Sequence, residues 1–231
     1  MDIVFPAHCV NCGGRAEKKS VMCAKCVRSI CLNKTLFCGR CRARLPEGRK
    51  ICHRDVPFLM GAATDYGDDP VKALIHGLKF RFLKRAGEIL WRVLIEYTDS
   101  VAELRELITE RAEETLVIPI PLSKKRLRER GFNQSEIIAQ VFADRYRLDL
   151  ATDCLARTRD TKPQSETENA GERLTNVRGC FLVEQDKLLN CKKTVILVDD
   201  VITSGATILA AAEELKHAGA KRIIALIAAK V

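Results

Sequence analysis

The sequence predicts an α/β fold, a mainly parallel sheet flanked by helices, with a small cysteine-rich module in front of it. Three observations carry this. Beyond residue 56, short β-branched and aliphatic runs alternate with amphipathic stretches of helical period, the pattern of strands joined by crossover helices. The run Val195-Ile-Leu-Val-Asp-Asp-Val-Ile-Thr-Ser-Gly-Ala-Thr207 leads from a buried strand through two acids and a small loop into a helix. Eight of the eleven cysteines lie in the first 52 residues, several as Cys-x2-Cys pairs.

In chain order, residues 1–56 form the cysteine-rich module and residues 57–231 the α/β domain. Residues 58–66 predict a strand, 70 to about 85 a basic helix or helix–turn, 88–97 and 101–114 two amphipathic helices. Residues 116–121 form a short buried strand closed by prolines, which cannot continue a ladder. Residues 134–146 are helical with Asn133 as cap, and Leu182 marks a short strand. The strand beginning at Val195 ends at the acids, followed by a helix over 208–217 and a last strand over 223–228. Residues 160–169 are hydrophilic and without periodicity, a long loop of the kind that often serves as a lid. Cys154, Cys180 and Cys191 are isolated and read as small buried hydrophobes.

The chain has 231 residues and a net charge of +9. Residues 1–55 carry 12 Lys/Arg against 4 Asp/Glu. Such a surface attracts polyanions. No stretch reaches the roughly 20 apolar residues of a membrane span, and no secretory signal precedes the cysteines, so the expected location is the cytoplasm. In that reducing setting the cysteine spacing predicts metal ligation.

Cys9, Cys12, Cys23 and Cys26 make two knuckles that can close a tetrahedron around one zinc ion. Cys38, Cys41 and Cys52 form most of a second site. The candidates for its fourth ligand are Asp55, where the repeat would have cysteine, His53 and Cys31; the alternative is a degenerate site that does not hold metal well. Both sites are structural, because so few aliphatic residues cannot bury enough apolar surface for the module to fold unaided.

The segment after Val195 places acids and backbone N–H groups at the carboxyl end of a strand and the start of a helix, where open α/β sheets bind ligands. A pair of carboxylates suits sugar hydroxyls and the N–H ring suits phosphate, which suggests a ribose 5-phosphate moiety. This segment resembles the phosphoribosyl-pyrophosphate (PRPP) loop of type I phosphoribosyltransferases. The resemblance implies that Asp199 and Asp200 hold the ribose hydroxyls. It further implies that Thr203, Ser204, Gly205, Ala206 and Thr207 cradle the 5′-phosphate, with Gly205 admitting close backbone approach.

Three more motifs extend it: 118–126 (IPIPLSKKR), 128–134 (RERGFNQ), and Arg157-x-Arg-x-Thr-Lys-Pro-Gln-Ser165 followed by Arg173 and Asn176. With the cysteine knuckles in front, this order resembles the ComF family of competence-associated, amidophosphoribosyltransferase-like proteins over nearly the whole chain. Asp55 in the second cysteine set and the polar residues 166–169 depart from it. The resemblance implies a type I phosphoribosyltransferase-like domain fused to an N-terminal zinc ribbon. It implies binding of PRPP or a ribose-5-phosphate-containing nucleotide, Mg2+ with PRPP, and a link to DNA uptake and the competence helicase machinery. Ser123 and Lys124 would bind pyrophosphate, one or two of Arg126, Arg128 and Arg130 would reach phosphate, and Lys162 would neutralise the leaving group on the lid. No residue presents itself as a general base for an acceptor.

A second class of function is a non-catalytic single-stranded DNA-binding factor for which PRPP or a nucleotide is a regulatory ligand. The segment 72–85 interleaves Phe80 and Phe82 with cations, and Lys79, Arg81 and Lys84 are its candidate nucleic-acid contacts. Packing of Leu74, Ile75, Leu78 and Phe82 on the sheet is the preferred account of the apolar residues, which leaves the cations to carry the nucleic-acid reading.

Overall fold

A computed structural model describes residues 8–17, 20–46, 52–53, 55–81, 83–159, 179–184 and 194–231. The predicted α/β architecture is present. Its elements are α1 (Ala24–Arg28), β1 (Leu36–Cys38), β2 (Arg44–Leu45), β3 (Leu59–Asp65), α2 (Asp69–Phe80), α3 (Lys84–Ser100) and α4 (Ala102–Glu110). There follow β4 (Thr115–Pro119), α5 (Lys124–Arg130), α6 (Gln134–Tyr146), β5 (Asp149–Leu150), β6 (Leu155–Arg157) and β7 (Phe181–Val183). The chain closes with β8 (Thr194–Ile202), α7 (Ala206–His217) and β9 (Arg222–Lys230).

Among the described residues one seven-stranded sheet runs β2-β1-β3-β9-β8-β4-β5. Pairing from β3 through to β5 is parallel, and β1 joins β2 and β3 antiparallel. The cysteine-rich segment thus supplies two strands to the main sheet. β8 sits between β9 and β4 and is apolar without alternation, as a strand covered on both faces must be.

One face is covered by α3, α4 and α6, through Leu94, Tyr97, Leu104, Ile138 and Phe142. Each such side chain, once buried, contributes roughly 1.5–3 kcal/mol. Tyr97 buries its ring while its hydroxyl donates to the Thr35 carbonyl at 2.7 Å, pinning α3 to the cysteine-rich segment. The other face takes α7, whose Ala211, Ala212 and Leu215 pack with Leu155 and Phe181 of the small β6–β7 ribbon. Cys154 and Cys180 are buried in that core, and Cys191 lies outside the described residues.

Three boundaries differ from the sequence reading. β8 does not stop at the acids but runs on through Ile202, because β9 continues beside it to Lys230. The basic helix ends at Phe80, and a new helix begins at Lys84. The helix over 101–114 breaks at Arg111, whose φ of −130° leaves helical geometry, and a 3-10 turn follows. The loop over 160–169, with Lys162, lies outside the described residues, as do Phe82, Arg173 and Asn176.

Candidate functional site: two carboxylates, a phosphate loop and two cysteine sets

β4 and β8 are parallel neighbours, with Pro119 opposite Val198, so the segments leaving their carboxyl ends lie side by side. Asn133 strengthens this junction. Its side chain caps α6 by accepting from Ser135 N at 3.1 Å, and its amide donates to the Ile120 carbonyl at 3.0 Å. α6 therefore starts beside the carboxylates of β8.

Asp199 accepts a hydrogen bond from Ser135 Oγ at 2.7 Å and another from the Asp200 N–H at 2.9 Å. Burial and the neighbouring Asp200 push its carboxyl up to about 7, against the opposing pull of Lys79 and these hydrogen bonds. Asp200 is only 2% exposed. Its Oδ1 accepts from Val201 N at 2.7 Å, and its Oδ2 lies 3.0 Å from Lys79 Nζ. That contact is ionic and lacks hydrogen-bond alignment, so Oδ2 has no hydrogen-bond partner among the described residues. Gln134 Oε1, next to Ser135 in the chain, is also buried without a hydrogen-bond partner among the described residues. Two adjacent acids, one strained toward its neutral form and one facing a lysine, form a site with unused affinity for a cation or for hydroxyl donors.

The loop that follows ends at Gly205, whose φ of 83° makes it the left-handed cap of α7. Ser204 Oγ accepts weakly from Ala206 N at 3.4 Å. The first N–H groups of α7 have no helical acceptor, which favours an anion there. Across the crevice, Ser123 is buried at the cap of α5 and accepts from Arg126 N at 3.4 Å, while Lys124 is exposed in the first turn. Arg130 is half-buried. Burial holds its guanidinium below the ordinary value, opposed by the field of Asp200.

The cysteines gather in two sets. Cys9, Cys12, Cys23 and Cys26 have ligand atoms within 4.8 Å of one another, and so do Cys38, Cys41, Cys52 and His53. Cys12 and Cys23 sulfurs are 3.8 Å apart, Cys41 and Cys52 sulfurs 3.6 Å, and Cys38 Sγ is 3.4 Å from His53 Nδ1. A tetrahedron with zinc–sulfur bonds of about 2.3 Å needs sulfurs about 3.8 Å apart. Both sets fit. In the first, burial opposes ionisation of Cys9, but backbone N–H groups of Cys12, Cys23 and Asn11 bring it down to about 6. Cys26 is favoured by the Asn11 amide, yet burial and the neighbouring thiols push it up to about 12. Thiols this close cannot all ionise without a cation between them.

Residues 127–230 match the family model described as the phosphoribosyl transferase domain. Across almost the whole chain there are named relatives. The DNA utilization protein YhgH of Escherichia coli strain K12 is 30% identical over 220 residues, 93% of this chain and 86% of that protein. Competence protein F of Haemophilus influenzae is 25% identical over 224 residues, 95% of each chain. Competence protein ComFC of Streptococcus pneumoniae is 27% identical over 216 residues, 93% of this chain and 84% of that protein. The chain belongs to the ComF family. Its sheet is that of a type I phosphoribosyltransferase, and the cysteine sets fit the family's N-terminal zinc module.

Within this ComF-family chain the structure brings Asp199, Asp200 and Thr203 to Thr207 together at the end of β8, with Ser123 at the neighbouring strand end. Two placements correct the sequence reading. Asp55 does not complete the second cysteine set; it pairs with Arg40 at the surface, and His53 takes the fourth place. Cys31 stays apart, its thiol donating to the Ser29 carbonyl at 3.8 Å. Lys79, assigned to nucleic acid, turns inward to Asp200, while Lys84 lies 5.5 Å above the Phe132 ring and Arg81 is exposed. Ser135 and Arg42 were missed. Arg42 donates to the Thr203 carbonyl from the cysteine-rich segment, and nothing local in the sequence announces either contact. No described helix is long and apolar enough to cross a membrane.

Proposed function

We propose that this chain binds PRPP as a Mg2+ complex and displaces its pyrophosphate with an acceptor. The observation that carries the reading is the sequence of groups at the end of β8. Two enclosed carboxylates, one hydrogen-bonded by Ser135 and one facing Lys79, directly precede the left-handed Gly205 and the N-terminus of α7. Asp199 and Asp200 hold the ribose 2′- and 3′-hydroxyls, and the N–H groups from Ser204 to Thr207 hold the 5′-phosphate. Ser123, Lys124 and Arg130 face the diphosphate from the β4 side; Lys162, the candidate to neutralise the leaving group, lies outside the described residues. Asp199 and Asp200 are the carboxylates that would hold Mg2+ with the substrate, and the ion would supply charge neutralisation for the leaving group. The C1′–oxygen bond breaks, pyrophosphate departs with the electron pair, and the acceptor supplies a new pair to C1′. The protein's task is to keep fixed charges around a leaving group whose negative charge grows as the bond breaks.

A relative's name, DNA utilization protein, favours a second property in the same chain, contact with DNA, which we propose is single-stranded. Phe80 is 63% exposed at the end of α2, its ring 4.9 Å from that of His76, and Arg81 stands next to it at the surface. An exposed ring beside cations suits base stacking with phosphate contacts. The fully enclosed Leu74, Ile75 and Leu78 of the same helix serve packing.

Isothermal calorimetry with PRPP and Mg2+, with pyrophosphate measured in the same mixtures over nucleobases, amines and DNA, tests the proposal. Binding with pyrophosphate release supports transfer. Binding without release leaves PRPP a regulatory ligand, and no binding removes the ribose-phosphate reading.

A further inference from the structure

The two cysteine knuckles share one backbone pattern, but the left-handed residue after the second cysteine is glycine in one and arginine in the other. In the first, Gly13 follows Cys12 with a φ of 71°; its N–H donates to Cys9 O at 2.9 Å, and Cys9 N donates to Gly14 O at 2.8 Å. In the second, Arg42 follows Cys41 with a φ of 58°; its N–H donates to Cys38 O at 2.9 Å, and Cys38 N donates to Ala43 O at 2.9 Å. Left-handed backbone suits glycine and strains an L side chain. Strain of this kind persists where the surroundings over-determine it, and it clusters at functional sites.

The side chain gives the reason. Arg42 Nη2 donates to the carbonyl of Thr203, the first residue of the phosphate loop, and Nη1 donates to the backbone oxygen of Val231 at 2.8 Å. Nη2 also lies 4.0 Å from the point a Cβ on Gly205 would occupy. Val231 N in turn donates to Ile202 O at 3.0 Å, so the guanidinium joins the ends of β8 and β9 at the base of the loop.

We infer that Arg42 is a positioning residue of the 5′-phosphate loop, held in its left-handed pose by the second cysteine set, so that metal there orders the ribose-phosphate site. The inference rests on the ribose-phosphate reading above. Its physics is that of one peptide plane. The Thr203 carbonyl and the Ser204 N–H belong to the same rigid trans unit and point in opposite directions. A guanidinium on the carbonyl therefore fixes where the Ser204 N–H points, and polarises it as a donor to phosphate. Metal bound by Cys38, Cys41, Cys52 and His53 fixes the backbone on either side of Arg42. A disordered knuckle would leave the fork without a stable origin.

Arg42→Gly tests this, because it installs the residue that the first knuckle already uses. The expected variant keeps the wild-type zinc content. Its PRPP affinity falls about tenfold, the effect of losing a charge-assisted hydrogen bond that orients a ligand donor. Hydrogen exchange at the amides of Ser204 to Thr207 speeds up without ligand. Stripping zinc from the wild type speeds the same amides, with no further increase in Arg42→Gly. Unchanged exchange in the variant overturns the inference, as does a lowered melting temperature with unchanged exchange and affinity. An equal further increase on stripping zinc from the variant overturns the metal link. If the wild type binds no PRPP while the variant still loosens these amides, the ribose-phosphate reading fails and the positioning role of Arg42 stands.

Discussion

Asp199→Asn removes a charge that the folded protein holds at a cost. The carboxyl stands at about 7 in the fold, against an ordinary value of 3.8. The folded state therefore binds more protons than the unfolded one between those limits, and wild-type stability falls as pH rises through that window. At 1.36 kcal/mol per unit, the penalty is about 4 kcal/mol at pH 8 and roughly 2 kcal/mol at pH 5. Asparagine mimics the neutral form, since its Oδ1 still accepts from Ser135 Oγ and from the Asp200 N–H. For a chain of this size 1 kcal/mol moves the melting temperature by about 2–4 °C. Asp199→Asn is thus expected to melt roughly 10 °C above wild type at pH 8 and about half that at pH 5. Scanning calorimetry of both proteins with zinc present measures this. A gain that does not depend on pH, or no gain at pH 8, refutes the claim that Asp199 is a strained carboxylate kept for ligand binding. On the reading that Asp199 holds the ribose, Mg2+–PRPP affinity of the wild type is expected to rise as pH climbs through 7.

Lys79→Met leaves Asp200 enclosed without its cation. Lys79 is itself partly exposed, so the loss is discounted from that of a fully buried pair to about 2 kcal/mol, and Lys79→Met with Asp200→Asn restores the melting temperature. A wild-type melting temperature for the single variant would show that the ion pair contributes nothing. Phe80→Ala with Arg81→Ala is expected to weaken single-stranded DNA binding severalfold in a fluorescence-anisotropy titration while leaving PRPP affinity intact. Equal DNA affinity in the variant places any DNA contact elsewhere.

The placement of the candidate site was legible because its parts are contiguous: acids, loop and helix start follow one another from Asp199 to Thr207. The first cysteine set was legible for the same reason, two pairs at knuckle spacing. What the sequence did not show came from distant elements. Ser135 reaches Asp199 across 64 positions, and Arg42 reaches Thr203 across 161. Lys79 read as a nucleic-acid contact in the basic segment 72–85. Only the packing of α2, through Leu74, Ile75 and Leu78, turns it toward β8. Asp55 fitted the cysteine repeat by spacing, but its position at the surface gives it to Arg40, and His53 lies nearer the thiols. The end of β8 was misjudged because acids commonly close a strand. Here β9 extends alongside and its ladder carries the strand past them.

The central claim is that Asp199, Asp200 and the loop to Thr207 hold a ribose 5-phosphate. The most direct test is a calorimetric titration of the zinc-loaded protein with PRPP, with and without Mg2+, beside Asp199→Asn with Asp200→Asn. The account predicts saturable binding with one site per chain, strengthened by Mg2+ and at least a hundredfold weaker in the double variant, since two charged partners of the ribose and metal are lost. Binding unaffected by removal of both carboxylates, or no binding by the wild type, contradicts it.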